Sequence, residues 1–329
     1  MRAVIPVAGI GERLKPHTLA LPKPLIPVAG KPILSHIIDD LIEKGVEEFI
    51  FVIGYMGDKI RDFIQKNYRN VNCRFVKQER LLGLGYAIKL AIDNTDDSPI
   101  LIILGDTVAS FSMDDIKDRE SNYLGVIQVE DARRFGVAEV HQDRVIGLEE
   151  KPEHPKSNLV LAGVYYISDV SKLKMALNEL FQRNIMTNSE YQLTDALDLM
   201  LSSDVPFHWF KLGSWYDCGT FSYLLKTNRL LLEKNNRFPK ELMKDNVIIP
   251  PVNISSSANI RNSIIGPFVS INTDCDIEKS IIENSIIGNN STLYGCILTD
   301  SLIGDNASFF GRLNKLNLGN DSQIKYVDE

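Results

Sequence analysis

Apolar residues follow two different patterns along the chain. From residue 1 to 240, short and nearly continuous apolar runs (Ala3–Val7, Phe49–Ile53, Ile100–Leu104) alternate with amphipathic stretches. Such runs predict strands buried on both faces of a sheet. After Pro32 and before Gly45, Ile33, Ile37 and Leu41 interleave with Leu34, Ile38 and Ile42 at i, i+4, i+8 spacing. Proline in the first turn and glycine past the end bracket a helix. Asp58–Tyr68 and Gly85–Asp93 predict two more. This alternation predicts an α/β fold with a doubly wound, mostly parallel sheet, in which ligands bind at the carboxyl ends of the strands. Pro6 cannot donate to a central ladder, so it is expected near the end of the first strand.

A polar stretch, Lys234–Asn246, precedes a different texture. From Ile248 onward there are 15 Ile and 11 Asn, with no His and no Trp. A phrase recurs as Ser263-Ile264-Ile265-Gly266, Ser285-Ile286-Ile287-Gly288, Ser301-Leu302-Ile303-Gly304 and a weaker Leu318-Gly319. Its glycines are 22, 16 and 15 residues apart, scattered around the ~18 residues of three hexapeptides. Apolar residues also fall six apart: Ile254/Ile260, Ile265/Ile271/Ile277, Ile287/Leu293, Ile303/Phe309 and Leu318/Ile324. These predict the inward rungs of a short left-handed parallel β-helix of about four coils, with Gly and Asn at the corners. A β-sandwich gives no reason for the repeated phrase. The expected domains are residues 1–240 and 247–329.

Composition narrows the classes. A chain of 329 residues fits two domains at roughly 150 residues each. Its 36 Lys and Arg against 43 Asp and Glu argue against a sequence-blind nucleic-acid partner. No apolar run reaches the length of a membrane span. Cys73, Cys218, Cys275 and Cys296 form no Cys-x-x-Cys, so the expectation is a reduced, cytoplasmic protein. Against this acidic background, residues 8–31 carry Arg13, Lys15, Lys23 and Lys31 against Glu12 alone, with four prolines. A proline-fixed loop of this kind after a strand, with Ala8, Gly9 and Gly11 exposing backbone N–H groups, is a candidate polyphosphate cradle. An isolated basic loop is more often merely solvated; the position at a strand end favours the cradle.

The run Gly9-x-Gly11-x-Arg13-Leu14-x-Pro16-x-Thr18, followed by Pro22-Lys23-Pro24-Leu25 and Gly30-Lys31-Pro32, resembles the signature of nucleoside-diphosphate-sugar pyrophosphorylases, the sugar-1-phosphate nucleotidyltransferases. The match continues in order through Gln78, Leu82-Gly83-Leu84-Gly85-Tyr86-Ala87, Leu104-Gly105-Asp106, Phe135-Gly136-Val137 and Glu149-Glu150-Lys151-Pro152. It ends with Ala162-Gly163-Val164-Tyr165, Glu190-Tyr191-Gln192-Leu193-Thr194-Asp195 and Trp215-Tyr216-Asp217-Cys218-Gly219-Thr220. It is most similar to the long form of glucose-1-phosphate thymidylyltransferase, which also bears a short hexapeptide-repeat tail.

The resemblance implies a Rossmann-like catalytic domain that joins a nucleoside triphosphate to a sugar 1-phosphate and releases pyrophosphate. The attacking oxygen is already anionic, so catalysis consists of alignment and charge stabilisation rather than proton abstraction. Arg13 and Lys23 are the candidates for the triphosphate and departing pyrophosphate. Asp106 and Asp217 would share Mg²⁺, a hard ion suited to carboxylates and phosphate oxygens. Lys151 would bind the sugar phosphate and complete the catalytic set. Glu150 would accept sugar hydroxyls, with Gly136 and Gly163 allowing close backbone approach. Gln78 and Gly83 would read the base, and Ala8, Gly9 and Gly11 would line the nucleotide. The expected substrates are dTTP or UTP, which differ by one methyl, and glucose 1-phosphate. Two alternatives stay open: a GTP- or ATP-using enzyme for another sugar phosphate, and a non-catalytic regulatory subunit. Glu12, Tyr86 and Thr107 depart from the family pattern. No His follows His208, so the tail is expected to be structural rather than an acetyltransferase, and to assemble a homodimer or homotetramer.

Overall fold

The computed structural model describes residues 1–311 and 317–325. Residues 312–316 and 326–329 of the expected tail domain, and the side chain of Ile324 in the last six-residue pair, lie outside the described residues. The chain forms two compact units, Met1–Gly9 with Ile37–Trp215, and Ile10–His36 with Tyr216–Glu329. Among the described residues no helix is long and apolar enough to cross a membrane.

The first unit is a nine-stranded sheet with helices. Its strands are β1 (Arg2–Val7), β2 (Glu48–Ile53), β3 (Asn72–Lys77), β4 (Ile100–Ile103), β5 (Asn122–Gln128), β6 (Gly136–His141), β7 (Arg144–Glu150), β8 (Leu159–Ile167) and β9 (Phe207–Lys211). They lie in the order β3-β2-β1-β4-β8-β5-β9-β7-β6. The first four strands are parallel, as their apolar runs predict. Beyond β4 the expectation of a mostly parallel sheet needs correction, because β8 runs antiparallel to both β4 and β5. The sheet is mixed. From β5 to β8 no helix intervenes between strands, and without helical crossovers successive strands pair antiparallel. Pro6 stands next to last in β1, and the β4 ladder stops at Val4 opposite Ile102, so its missing N–H interrupts no bond on that side.

Helices form where the spacing predicts them at α1 (Ile33–Glu43), α2 (Gly57–Asn67) and α3 (Leu84–Ile92); two further helices, α4 (Val170–Gln182) and α5 (Leu193–Ser202), follow. Ala87, Ile88 and Ala91 of α3, Leu173 and Leu177 of α4, and Ala196 and Leu197 of α5 join Val4, Ile50 and Ile102 in one buried core. At roughly 25 cal/mol per Å² of apolar surface, this burial supplies the main driving force for the layer.

Among the described residues the second unit contains three parallel sheets of short strands, one four strands deep and two five deep, against the four coils expected. Ile254, Ile260, Ile265, Ile271, Ile277, Ile287, Leu293, Ile303 and Phe309 all face the interior, as six-residue spacing requires. The coil length differs from 18. Ile264 pairs with Ile281, Ile281 with Ile297, and Leu302 with Asn317, so coils shorten from 17 to 16 to 15 residues. The recurring phrase also changes sheet. Ser263–Gly266 lies in the stack with Ile281–Ile282, whereas Ser285–Gly288 lies in the stack with Leu302–Ile303. The first glycine interval of 22 is therefore one 17-residue coil plus a five-residue step to the next sheet. Corner side chains repeat with the coil. Ser263 Oγ accepts the Ser280 N–H at 3.1 Å, and Ser285 Oγ accepts the Ser301 N–H at 3.1 Å.

The polar stretch also joins the coils. The Arg237 N–H donates to the Val252 carbonyl at 2.8 Å, and its own carbonyl accepts the Ile254 N–H at 2.8 Å. Helix α6 (Phe221–Lys234) and the basic loop belong to the same unit. Within α6, Asn228 is fully buried; its Oδ1 accepts the Ala29 N–H at 2.8 Å and the Ser270 hydroxyl at 2.6 Å.

Candidate active site

In the sheet unit, the candidate residues collect where the parallel strands end. Ala8 follows β1 and accepts the Tyr55 N–H at 3.1 Å; a Cβ at Gly9 would meet nothing within 4 Å, so its backbone is open. Asp106 follows β4. Gly105 before it must lack a side chain, since a Cβ would lie 2.3 Å from Val7 Cγ1 and 2.8 Å from the Pro6 carbonyl. Asp106 Oδ1 is 3.3 Å from Thr107 Oγ1, so the hydroxyl that departs from the family pattern contacts the carboxylate itself.

Gln78 lies just past β3, buried, with Nε2 donating to the Gly83 carbonyl at 3.4 Å. Gly83 has φ 103°, a region L side chains avoid, and a Cβ there would lie 2.5 Å from the Tyr191 carbonyl. That carbonyl also accepts the Gly85 N–H at 2.8 Å. Thus the Leu82–Gly85 turn is pinned to the segment before α5.

Glu150, Lys151, Gly136 and Thr194 form a second cluster. Glu150 closes β7 with its side chain only 9% exposed, and its Oε2 accepts the Thr194 hydroxyl at 2.6 Å. Gly136 opens β6 opposite Glu150; a Cβ there would lie 2.6 Å from Thr194 Oγ1 and 3.0 Å from Glu150 Oε2. Lys151 Nζ is 3.4 Å from Glu150 Oε1. Its backbone takes φ 47°, a strained value for a non-glycine residue that re-aims the chain at the strand end. Gly163 accepts the Leu104 N–H at 3.0 Å, tying β8 to the segment that carries Asp106. Burial raises the Tyr165 pKa, with the charges of Glu150 and Asp106 adding to it, so both carboxylates act on one buried hydroxyl. Burial likewise raises the Asp195 pKa; the Thr187 hydrogen bond opposes this and the Glu150 charge reinforces it.

The loop unit brings together Arg13, Gly219 and Asp217. Asp217 Oδ1 accepts the Gly219 N–H at 2.7 Å, and a Cβ at Gly219 would stand 2.8 Å from an Arg13 guanidinium nitrogen. Glycine here makes room for cation and carboxylate side by side. Gly11 has φ 71°, and a Cβ would press on Lys23 Cβ and Thr18 Cγ2 at 3.0 Å each. Lys23 is buried in a tight turn, Lys23–Leu25. Glu12 points outward, with its side chain 72% exposed and 3.7 Å from Lys15 Nζ, so it offsets Lys15 rather than occupying the cradle. His17 is buried against Asn317 Oδ1, and burial lowers its pKa; it anchors the loop.

Three residues escaped assignment. Thr194 lay within a recognised motif, but its bond to Glu150 spans 44 residues. Asn228 could have been found as a polar residue at inward spacing among Leu224, Leu225, Leu231 and Leu232. Trp215 packs edge-on to Phe135 at 5.5 Å, and among the described residues its buried Nε1 has no hydrogen-bond partner.

In an α/β sheet, the carboxyl ends of parallel strands, where Ala8, Gly9, Gln78 and Asp106 stand, are the usual place for a ligand. Residues 2–234 match the family described as Nucleotidyl transferase, and the chain belongs to that family. It is 28% identical over 321 residues to a glucose-1-phosphate thymidylyltransferase of Streptomyces griseus, covering 90% of this chain and 89% of that one. It is 36% identical over 254 residues to the Bifunctional protein GlmU of Methanocaldococcus jannaschii, covering 76% of this chain and 59% of that longer relative. The solved structure of a putative glucose-1-phosphate thymidylyltransferase from Bacillus anthracis matches with a TM-score of 0.61 at 26% identity, covering 74% of this chain and 99% of that one.

Proposed function

We propose that the protein is an NDP-sugar pyrophosphorylase that forms an NDP-sugar and pyrophosphate from a nucleoside triphosphate and a hexose 1-phosphate. The observation that carries this reading is the meeting of Arg13 and Asp217 across Gly219. A guanidinium beside a carboxylate suits a triphosphate that arrives with a metal ion. dTTP or UTP with glucose 1-phosphate are the favoured substrates, supported by Gln78. Its amide nitrogen is engaged by the Gly83 carbonyl, which leaves Oε1 for a pyrimidine N–H. Glu150, held by Thr194, would accept sugar hydroxyls while Lys151 takes the phosphate. Arg13 and Lys23 would stabilise charge on the triphosphate and pyrophosphate.

We assign Mg²⁺ to Asp106 and Asp217, whose hard oxygen donors fit it. Among the described residues no three His, Cys, Asp or Glu side chains gather as a metal cage. This suits an ion that completes its shell with phosphate oxygens and water. When bound, it would offset charge at the α-phosphoryl group. A cytoplasmic location, a doubly wound sheet layer, a left-handed coil and domains at 1–240 and 247–329 belong to the same reading. So does homo-oligomerisation to a dimer or tetramer. Val247, Ile264, Ile281 and Ile297 stand in register on the four-stranded sheet, and Val247, Ile281 and Ile297 are exposed. Such an apolar column favours cover by a second copy. A monomeric mass by light scattering would remove the oligomer.

The decisive experiment is a pyrophosphate-release panel with Mg²⁺, testing dTTP, UTP, GTP, ATP and CTP against glucose, mannose and galactose 1-phosphates. Release with dTTP or UTP and glucose 1-phosphate is expected. Release only with GTP or ATP would select the alternative enzyme, and no release with any pair would sink the catalytic reading.

A further inference from the structure

One coil sheet is formed by Val252–Ile254, Val269–Ile271, Ile286–Ile287, Leu302–Ile303 and Asn317–Leu318. Within it Asn253, Ser270, Ile286, Leu302 and Asn317 pair in that order as a single column. Their neighbours Ile254, Ile271, Ile287 and Ile303 face the interior, so strand alternation sends this column outward. On the four-stranded sheet the corresponding Val247, Ile281 and Ile297 are exposed. Here Ser270 and Ile286 are 0% exposed and Leu302 only 3%. The cover comes from α6 and the basic loop, strand by strand. At the first strand, Gly30 lies so close that a Cβ would stand 2.2 Å from Asn253 Oδ1. At the second, Asn228 joins the Ser270 hydroxyl to the Ala29 N–H. At the third and fourth, Ile286 and Leu302 share with Leu21, Ile26 and Pro27 a gap of about 20 Å³, room for roughly one water. At the fifth, the exposed Asn317 meets His17 Nε2 through its Oδ1, and a Cβ on nearby Gly319 would lie 3.1 Å from the Pro16 ring.

We propose, on the reading of this loop as a triphosphate site, that the column is the template that holds Arg13 and Lys23 in place. Asn253 and Asn317, at its two ends, are positioning residues. The loop's local turns, such as Leu14 N–H to the Gly11 carbonyl at 3.0 Å and Leu25 N–H to the Pro22 carbonyl at 2.8 Å, set its shape. The column sets its orientation. Lys23 stands six residues from each of two anchors, His17 and Ala29, and Arg13 stands four residues before His17. Five strands at ~4.8 Å spacing reach across roughly 19 Å, so the depth of the coil stack is matched to the stretch of loop laid on it. Holding and binding are reciprocal: a triphosphate that fixes the loop also stabilises the last coil.

The test uses the full chain with dTTP, UTP, GTP and ATP as probes, each with Mg²⁺ and without sugar phosphate. Calorimetry reads binding, and hydrogen exchange reads residues 13–23 and 318–323; turnover then gives KM for each substrate. A bound triphosphate should slow exchange in both segments of the wild-type chain. Asn317→Ala, at an exposed position, should weaken triphosphate binding about fivefold, the worth of one hydrogen bond, and raise KM for the triphosphate alike. KM for the sugar phosphate should hold, and Asn317→Asp, which keeps the acceptor, should restore binding. Asn253→Ala should act in the same direction from the first strand. Ser263→Ala, a buried serine beside the four-stranded sheet, should lower Tm without moving either KM. With wild-type binding intact, unchanged binding in both Asn317→Ala and Asn253→Ala would overturn the template alone. So would an equal loss in Ser263→Ala, which would make the effect one of stability. A wild-type chain that binds none of the four triphosphates would overturn the reading of the loop, and the template with it.

Discussion

The sheet unit and the stacked coils satisfy their buried polar groups by different means. In the sheet unit each contact is unique: Glu150 has Thr194, and Gln78 has the Gly83 carbonyl. In the coils one contact recurs with the repeat, Ser263 to Ser280 and Ser285 to Ser301. Losing one rung of a ladder leaves its neighbours paired. Losing one unique partner strands a buried polar group, and where that group is charged the cost is largest. The proposed sugar and base contacts, Glu150 and Gln78, rest on contacts of the unrepeated kind.

Substitutions can break this contrast, beginning with the largest effect. Asp106→Asn removes a proposed metal ligand and should lower pyrophosphate release roughly a thousandfold, several kcal/mol of transition-state stabilisation. Near-normal turnover would take Asp106 out of the metal site. Asn228→Leu orphans the Ala29 N–H, the Ser270 hydroxyl and the Phe268 carbonyl. Urea unfolding should record a loss of about 3 kcal/mol, with Asn228→Asp less damaging. A loss no larger than for a coil serine would dissolve the distinction between unique and repeated contacts.

Thr194→Val removes the hydroxyl that donates to Glu150 Oε2 at 2.6 Å. It should raise KM for the sugar phosphate about tenfold with little change in kcat, if Glu150 binds ground and transition states alike. An equal fall in kcat would place Glu150 in the chemical step. Ser285→Ala removes one ladder rung and should cost about 1 kcal/mol or less, measured as a small shift in Tm. His17 supplies a pH counterpart. Its folded pKa lies below the ordinary 6.5, so below that value the unfolded chain binds more protons. Stability should therefore fall as pH drops from 6.5 toward the folded pKa, and His17→Gln should flatten that slope. An unchanged slope in the variant would assign the acid sensitivity elsewhere.

Much of the sheet unit was readable because its first strands and helices are local patterns. The runs at Ala3, Phe49 and Ile100 and the spacing of Ile33, Ile37 and Leu41 need no distant partner. The reversal at β8 was not readable, because direction is set by connections rather than by the apolar content of β8. In the coils the inward rungs were plain, since six-residue spacing survives a shortened turn. The sheet assignment of Ser285–Gly288 was not, because one phrase serves two faces. The loop glycines and cations stood out from composition. Their anchors did not: the Ala29–Asn228 bond spans 199 residues and the His17–Asn317 contact spans 300.

Those two anchors bear on how the chain can be recombined. A chimera joined near residue 245 would transplant the coils and leave behind the loop that folds with them. The donor tail would have to supply its own equivalents of Ser270 and Asn317. A functional exchange therefore has three pieces, not two: residues 10–36 travel with 216 onward, and the sheet between them stays. Homologous tails should prove interchangeable only when the first strand's loop is exchanged along with them.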